Sequence, residues 1–331
     1  MINTIFIVGT EHHMLQVNEA INHFNLQENN YLILFFYKKG DKNLIDLMMK
    51  NRKIKNYYLF RNWVFKDILL NKKYHKTFIK FLLNVKKYDI TKLFISQYKN
   101  DSNLLAIKIL NPKRVILMDE GTASIKIVDE RSKDISPKTK IILAVKSLLY
   151  GLSLNYSENL IYFTQYNLIM SDKNPDKCIR YTFTKTNNLC EFNSEIIFML
   201  GSSVSELKII SEKYYFDILY KIIHHHSDKK MIYFAHRKEE NIKLERIKQL
   251  GFKVITNKEP FENLFGNLKI IPKIIYSFYS PVLPNISELY QNIPELIVIK
   301  FDNVKIKFNN DIIISIYNQY EKNTKLKLIE F

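Results

Sequence analysis

The sequence predicts an α/β protein with two parallel-sheet domains, and three observations lead to this prediction. Short runs of apolar, β-branched or aromatic residues alternate with longer segments of helical period, as in a parallel sheet covered by helices. The alternation occurs twice, on either side of a less regular stretch between about residues 129 and 191. The length of 331 residues, 47% of them hydrophobic, is enough to bury a sizeable core in each half.

In the first half, short apolar runs bounded by polar or turn residues predict buried strands. These runs lie at residues 5–8, 31–37, 57–60, 92–96 and 114–118. Apolar residues at helical spacing predict helices between them, notably at 14–24 and over the long stretch 62–86. The turn-rich sequence at 171–175 predicts a loop in the middle of the chain, where we expect the domain to change.

The second half repeats the alternation with shorter connections. Strands are predicted at 195–200, 231–234, 253–256, 273–279 and 295–300, and helices at 205–226, 238–250, 260–265 and 286–292. We therefore expect an N-terminal domain of residues 1–155, a connecting region of residues 156–190 and a C-terminal domain of residues 191–331. Both domains are expected to be doubly wound and Rossmann-like, and to face a cleft.

The chain carries a large surplus of positive charge, because 50 Lys and Arg residues oppose 33 Asp and Glu residues to give +17. Such a surplus favours polyanionic partners: nucleic acid, an anionic membrane surface, or substrates bearing phosphate or carboxylate groups. Basic, solvated helix faces are the alternative that needs no partner. Since no zinc finger, helix-turn-helix pattern or aromatic RNA-binding signature is present, nucleic acid is not the predicted partner.

Cysteine content and apolar segments limit the class of protein further. Cys178 and Cys190 lack the spacing of a metal-binding pair, so neither a disulfide framework nor a structural zinc site is expected. The triplet at 224–226 consists of contiguous histidines, which point to different faces of a helix, so no metal site is predicted there. The first apolar run ends before Glu11, too early for a signal peptide, and no segment reaches the roughly 20 apolar residues of a membrane span. A cytoplasmic location is expected.

Ligands of doubly wound sheets bind beyond the carboxyl ends of the strands, so the residues that follow each strand are the first candidates for chemistry. Asp119, Glu120 and Gly121 follow the strand predicted at 114–118. Two neighbouring carboxylates raise each other's pKa, which suits a general base. The alternative is an acidic turn that caps the next helix, with Gly121 supplying a positive φ.

A second candidate follows the strand at 231–234, where His236 is succeeded by Arg237 and Lys238. An imidazole and cations at the start of a helix can bind a phosphate group. The alternative is a histidine with a purely structural role.

Two weaker candidates contain hydroxyl groups and a glycine. Gly201, Ser202 and Ser203 follow one strand, and Ser280 closes another. A small-residue turn lets a ligand approach the backbone, and a serine can bind phosphate, although serine also commonly caps a helix. Neither the Gly-x-Gly-x-x-Gly fingerprint nor the phosphate-binding loop of nucleotide triphosphatases is present.

The order of these motifs along the chain resembles that of bacterial sialyltransferases of the two-domain GT-B type. The similar families are glycosyltransferase family 52, which includes lipooligosaccharide sialyltransferases, and the related bacterial polysialyltransferases. Val8, Gly9 and Thr10, followed by the helix that contains Gln16 and Glu19, are also similar to the opening strand, loop and helix of these enzymes.

The resemblance implies an inverting transfer of sialic acid from CMP-sialic acid to a cell-surface glycan, either lipooligosaccharide or a capsular, polysialic glycan. No metal cofactor is expected. The implied general base is Glu120, with Asp119 as the second choice, and His236 stabilises or protonates the CMP phosphate. The implied donor-binding residues are Gly201, Ser202, Ser203, His236, Arg237 and Ser280, and the implied acceptor-binding residues are Gly9, Thr10 and Gly121.

Two alternatives remain open. A transferase of the same architecture that uses another CMP-activated or nucleotide-activated sugar would keep all of these motifs. A basic nucleic-acid-binding protein would explain the charge but not the carboxylate pair at the end of a strand.

Residues 138–150 form the segment predicted to bind the surface of an anionic membrane peripherally. Apolar residues at helical spacing lie beside Lys138, Lys140 and Lys146, as in an interfacial amphipathic helix. The alternative is a helix that packs on the core of its own domain.

Overall fold

The computed structural model describes residues 2–38, 41–51, 54–63, 67, 73–119, 123–168, 176–188, 190–256, 260–308 and 310–331. The chain divides into two compact units, Met1–Thr182 and Phe183–Phe331, called here the N-terminal unit and the C-terminal unit. None of the helices in these ranges is long and apolar enough to cross a membrane.

The N-terminal unit contains a seven-stranded parallel sheet within the described residues. Its strands are β1 Thr4–Val8, β2 Tyr31–Tyr37, β3 Tyr57–Arg61, β4 Lys92–Ile95, β5 Arg114–Met118, β6 Ile161–Thr164 and β7 Lys177–Arg180. Its helices are α1 Glu11–His23, α2 Lys42–Asn51, α3 Tyr74–Val85, α4 Asp101–Leu110, α5 Ala123–Arg131 and α6 Pro137–Tyr150. The strand order β3-β2-β1-β4-β5-β6-β7 reverses direction between β1 and β4.

Burial explains why the central strands of this sheet are almost wholly apolar. Every residue of β1 is buried, because helices cover both faces of a doubly wound sheet. Phe6 of β1 stacks on Phe94 of the neighbouring β4, with ring centroids 4.4 Å apart. The core therefore lies on both faces of the sheet, and the polar side chains are left at the strand ends.

In the part of the chain that the structure describes, the C-terminal unit repeats this design with a six-stranded parallel sheet. Its strands are β8 Glu191–Leu200, β9 Lys230–Ala235, β10 Lys253–Thr256, β11 Ile270–Ser277, β12 Glu295–Lys300 and β13 Leu326–Glu330. Its helices are α7 Glu212–His225, α8 Asn241–Gln249, α9 Phe261–Asn267, α10 Val282–Leu289 and α11 Asn310–Tyr320. The order β10-β9-β8-β11-β12-β13 reverses between β8 and β11.

The structure confirms the α/β class, the doubly wound sheets and every strand predicted from the sequence. It adds β6, β7 and β13, which the sequence analysis did not identify. The segment 156–190, expected to connect the domains, supplies β6 and β7 to the first sheet, and the two units divide after Thr182. Strand β7 was missed because it is largely exposed and has no apolar run, whereas β6 is mostly buried and its apolar run lies in the segment interpreted as a connection.

Three predicted helices differ by four residues or more at one end from the helices of the structure, and one of them, predicted at 286–292, spans Val282–Leu289. The helix predicted at 205–226 begins at Glu212, because Ser211 accepts a hydrogen bond from the main-chain N of Tyr214 (3.2 Å) and so caps the helix there. The residues before Ser211 form turns instead. Of the helix predicted at 62–86, the structure describes the helix Tyr74–Val85, while 64–66 and 68–72 lie outside the described residues.

Candidate functional site

The C-terminal unit brings the three predicted donor-binding segments to one edge of its sheet. Gly201 follows β8, His236 follows β9, and Ser280 lies just beyond the end of β11. The three strands are neighbours in the order β9-β8-β11, and all pairs are parallel. Since the strand order reverses between β8 and β11, this edge is the topological switch point at which open α/β sheets bind their ligands.

Hydrogen bonds orient the half-buried ring of His236. Its Nδ1 accepts a hydrogen bond from the main-chain N of Lys238 (3.2 Å). The neutral ring therefore carries its proton on Nε2, the atom that remains to donate to a ligand. Burial lowers the pKa of His236, and the charges of Arg237 and Lys238 lower it further. A neutral imidazole that donates from Nε2 fits the stabilisation of an anionic phosphate better than it fits proton donation.

A buried polar network lies beneath this edge and centres on Glu239, whose side chain is fully buried. One carboxylate oxygen accepts a hydrogen bond from the main-chain N of His236 (2.7 Å). The other accepts one from the hydroxyl of Tyr233 (2.6 Å), which in turn lies 2.5 Å from the hydroxyl of Tyr215. Glu239 thereby ties the residue after β9 to side chains from β9 and α7.

Lys243, one helical turn beyond Glu239, connects this network to the loop after β8. Its Nζ lies 2.8 Å from Glu239 Oε1 and donates to the main-chain oxygen of Ser202 (3.0 Å) and to Ser205 Oγ (2.9 Å). The same ammonium lies 3.6 Å from the ring centroid of Tyr215, and the hydroxyl of Tyr215 accepts a hydrogen bond from Ser202 N (3.3 Å). Both loops that carry predicted donor contacts are thus held by one buried ion pair.

Close packing against this network explains why residue 201 is a glycine. A Cβ atom at Gly201 would lie 2.6 Å from the hydroxyl of Tyr233 and would also collide with the carboxylate of Glu239. From the sequence alone, this glycine was predicted to let a ligand approach the backbone. The structure shows that it makes room for the buried network, while donor contact by the 201–203 backbone stays a prediction.

The serines near the end of β11 differ in their hydrogen bonding. Ser280 Oγ accepts a hydrogen bond (3.3 Å) from the main-chain N of Val282, the first residue of α10, but Pro281 occupies the N-cap position, so Ser280 lies one residue before the cap that the sequence suggested for it. Its hydroxyl proton can still be donated to a ligand. Ser277, paired in register with Leu200 of β8, is fully buried, and its hydroxyl has no hydrogen-bond partner within the described part of the chain. Ser277 was not predicted as a site residue from the sequence.

At the carboxyl end of β1 in the N-terminal unit, Gly9 and Thr10 hold the start of α1. Thr10 Oγ1 accepts a hydrogen bond from His13 N (3.3 Å), and the Nδ1 of His13 accepts one from Gly9 N (3.2 Å). His13 is buried, and burial together with the neighbouring His12 lowers its pKa to about 3. This imidazole is therefore neutral, and the loop proposed for acceptor binding has a defined conformation.

Asp119, at the end of β5, is completely buried and accepts several hydrogen bonds. Its carboxylate accepts from Ser124 Oγ (2.6 Å) and from Gln165 N (2.9 Å), and its main-chain oxygen accepts from Gln16 Nε2 (2.6 Å). Burial raises the pKa of Asp119 to about 6 despite these hydrogen bonds. The carboxylate of Asp119 joins β5 to α5 and to the residue after β6, and its main-chain oxygen adds the contact with α1.

Glu120 and Gly121, the preferred base and a predicted acceptor contact, lie outside the described residues. Asp119 has no solvent-accessible surface in the structure, so its geometry favours a positioning role. Glu120 therefore remains the predicted base. Asp119, which directly precedes it, fixes the end of β5.

Several polar groups of the two sites were not identified from the sequence. The four-residue spacing of Glu239 and Lys243, both within the helix predicted at 238–250, could have indicated their ion pair, although in the structure Glu239 lies in the turn before α8. No comparable pattern indicates that His13 and Gln16 are buried. Within the described ranges, no three His, Cys, Asp or Glu side chains come together as metal ligands, and His226 contacts the hydroxyl of Tyr276 instead (2.8 Å).

Comparison with known proteins gives structural neighbours without recognisable sequence relatives. No protein-family model and no curated protein sequence matches the chain. A putative UDP-N-acetylglucosamine 2-epimerase from Listeria monocytogenes matches with a TM-score of 0.54 at 10% identity, over 100% of this chain and 84% of the other.

Two further solved structures match over nearly the whole chain. A glycosyltransferase from Rickettsia africae has a TM-score of 0.51 at 14% identity and covers 97% of this chain and 88% of its own. The UDP-GlcNAc 2-epimerase from Methanocaldococcus jannaschii, solved with UDP-GlcNAc and UDP, has a TM-score of 0.51 at 13% identity, with coverages of 99% and 88%. At such low identity the likeness concerns the fold alone, and together with the two Rossmann-like sheets it shows that this chain has the GT-B fold.

Proposed function

We propose that this protein is a glycosyltransferase that transfers a sugar from a nucleotide-activated donor to a hydroxyl group of a glycan acceptor. The observation that carries the proposal is the carboxyl edge of the second sheet. There, His236, residues 201–203 and Ser280 meet at the switch point of a GT-B fold. The bound UDP-GlcNAc and UDP of the Methanocaldococcus protein support a nucleotide-sugar donor for a chain of this architecture.

On the donor side, the departing nucleotide phosphate needs positive electrostatic potential and hydrogen-bond donors. The neutral His236 can donate from Nε2, Arg237 adds an exposed positive charge, and Ser280 can donate its hydroxyl proton. Because these groups are held before the reaction, they stabilise the developing charge without having to reorganise.

On the acceptor side, the proposal assigns the general base to Glu120. In an inverting reaction the acceptor oxygen forms its bond to the anomeric carbon while the bond from that carbon to the phosphate oxygen breaks. The acceptor proton passes to the carboxylate, and the nucleotide leaves with the bonding electrons. Asp119 anchors the end of β5 from which residue 120 continues.

The specific form of the proposal is transfer of sialic acid from CMP-sialic acid to lipooligosaccharide or to a capsular glycan, without a metal cofactor. The formal charge of +17 fits an anionic donor and acceptor. The proposal places the enzyme in the cytoplasm, peripherally on an anionic membrane. Another nucleotide-activated sugar is the alternative donor. The UDP-GlcNAc and UDP bound to the Methanocaldococcus protein support a UDP-sugar as that alternative.

Donor screening with the purified chain tests both levels of the proposal. Nucleotide release is measured from CMP-sialic acid, UDP-GlcNAc and UDP-glucose, with and without galactosyl and sialyl acceptors. Acceptor-dependent release of CMP supports the sialyl form, and release of UDP alone replaces it with the alternative donor. Two results overturn the transferase proposal. One is epimerisation of UDP-GlcNAc without any acceptor, and the other is that the chain binds none of the nucleotides tested.

Variants then test the assigned residues. His236→Ala should lower turnover about 10²-fold or more and weaken nucleotide binding, because it removes a preorganised donor to the phosphate. His224→Ala, at an exposed histidine of α7, is the matched control. Glu120→Ala should lower turnover by roughly 10²- to 10⁴-fold and leave nucleotide binding intact. Normal turnover in both Glu120→Ala and Asp119→Ala would remove the base assignment.

A further inference from the structure

Helix α6 presents apolar side chains outward, the reverse of an ordinary surface helix. Leu148 is 83% exposed and Ile141 is 65% exposed. Ile142, Val145 and Leu149 are exposed as well. At 100° per residue these side chains fall within one third of the helix circumference, so they form a continuous apolar stripe, called here the α6 stripe.

The opposite face of α6 already packs on its own unit. Leu143 and Tyr150 are buried, and the hydroxyl of Tyr150 donates to Asp101 Oδ2 (2.8 Å) and accepts from Trp63 Nε1 (3.1 Å). Lys146 adds an ion pair with Asp101 (2.5 Å). Since these contacts fix the rotation of the helix, the α6 stripe is not the face by which α6 joins the core.

The ends of α6 are closed by residues of the chain itself. Ser136 Oγ accepts from Thr139 N (3.3 Å), and Pro137 occupies the first turn. Gly151, with φ 64°, ends the helix in the left-handed conformation that favours glycine. A capped helix anchored along one side holds the α6 stripe in place before any partner arrives.

Charge identifies the partner that the stripe fits. Helix α6 contains three lysines and no acidic residue, and Lys138 and Lys140 in its first turns are exposed. The chain as a whole carries +17, so a second copy of it would bring repelling charge to the same surface. Apolar side chains beside lysines match the boundary between headgroups and acyl chains of an anionic bilayer.

We propose that α6 lies in the surface of an anionic lipid bilayer, with the α6 stripe inserted among the acyl chains and Lys138 and Lys140 against the headgroups. This binding surface deepens the proposed function and rests on it for its purpose, since it would bring the enzyme to lipid-linked acceptors. Lipid binding itself needs neither donor nor acceptor, so the two proposals can fail separately.

Co-sedimentation of the full chain with vesicles tests the proposal. The vesicles contain phosphatidylcholine alone or phosphatidylcholine mixed with phosphatidylglycerol in roughly equal parts, at low and high salt. We expect strong binding to the mixed vesicles that weakens with salt. Leu148→Ser should weaken binding about ten-fold, because it removes a leucine side chain from the apolar phase. Leu207→Ser, at an exposed leucine of the C-terminal unit, is the matched control and should bind normally.

Two further variants separate insertion from simple charge attraction. The pair Lys138→Gln and Lys140→Gln should weaken binding to the mixed vesicles about 30-fold, from roughly five-fold per lysine. Leu148→Trp should shift its fluorescence emission to the blue when vesicles are added, whereas the buried Trp63 should not change.

Three results would overturn the proposal: no binding of the unaltered chain to mixed vesicles, normal binding by Leu148→Ser, or an unshifted emission of Leu148→Trp on bound vesicles. Self-association of the chain in solution that Leu148→Ser abolishes, without vesicle binding, would assign the α6 stripe to a second copy instead. Thermal unfolding of each variant verifies that the chain remains folded.

Discussion

Replacing Lys243 by methionine removes the cation that joins the two donor-side loops and leaves the volume of the side chain nearly unchanged. Lys243 is almost fully buried, and its partner Glu239 has no exposed side-chain surface. The variant therefore leaves a buried carboxylate without its counter-ion. We expect the loops after β8 and β9 to lose stability together, since both are bonded to this ion pair.

The size of the effect follows from the contacts that remain. Removing one partner of a buried ion pair costs about 3–5 kcal/mol. Glu239 would keep its hydrogen bonds from Tyr233 and from His236 N, so we expect the lower end, about 3 kcal/mol. This corresponds to a roughly 150-fold increase in the population of locally open forms.

Hydrogen exchange followed by mass spectrometry is the appropriate assay, because it resolves local opening in a chain of two units. Amides within 196–206 and 230–243 should exchange roughly 150-fold faster in the Lys243→Met variant. Fluorescence of Trp63, the single tryptophan, reports on the N-terminal unit and should be unchanged.

The matched control is Lys238→Met at an exposed lysine of the turn after β9, which should alter stability by less than about 0.5 kcal/mol. Combining Lys243→Met with Glu239→Gln should recover part of the loss, since the fully buried carboxylate is then neutral and only the partly exposed Glu206 loses its pairing with Lys243. The reasoning is refuted if Lys243→Met exchanges like the control, or if the double variant is less protected than Lys243→Met.

Three further predictions concern individual side chains. Gly201→Ala should destabilise the C-terminal unit by about 1–3 kcal/mol, because its Cβ collides with Tyr233 and Glu239; unchanged urea unfolding would contradict this. Ser280→Ala should weaken nucleotide binding about three- to ten-fold in calorimetry, the loss of one neutral hydrogen bond, and equal affinity would remove Ser280 from the site. The pKa of Asp119 is raised from 3.8 to about 6, so the folded state binds this proton more tightly. Its contribution is present below pH 4 and lost as the pH rises through 6. The stability of the natural chain relative to Asp119→Asn, measured through Trp63 fluorescence, should therefore fall by about 2.5 kcal/mol between pH 4 and 7, and a constant difference would refute this.

The strands were predictable because a strand buried on both faces needs a continuous apolar run. Runs such as 5–8 and 31–37 are short, apolar and bounded by polar residues, and the structure confirms both. A strand that is largely exposed does not need such a run, and β7 at the edge of the first sheet is the example. Strand β7, with the sequence KCIR, was therefore missed, and the end of the first unit was expected too early.

The candidate site was predictable only in part. Parallel strands end at a common edge, so the positions after β8, β9 and β11 could be grouped before their neighbours were known. Their environment could not be predicted, because it depends on side chains distant in sequence. Burial of Asp119 requires Gln16 and Gln165.

Local sequence by itself determined the strands, the helical period of α6 and the surplus of positive charge, because these depend on the order and type of neighbouring residues. Tertiary contacts decided whether the side chains of these residues face solvent or the interior of the protein. The packing of Leu143 and Tyr150 turned the α6 stripe outward, although its spacing alone fitted a core helix better. Likewise, Gly201 became a packing requirement only when Glu239 and Tyr233 met beneath it, since contacts between separate strands and helices are set by the fold as a whole.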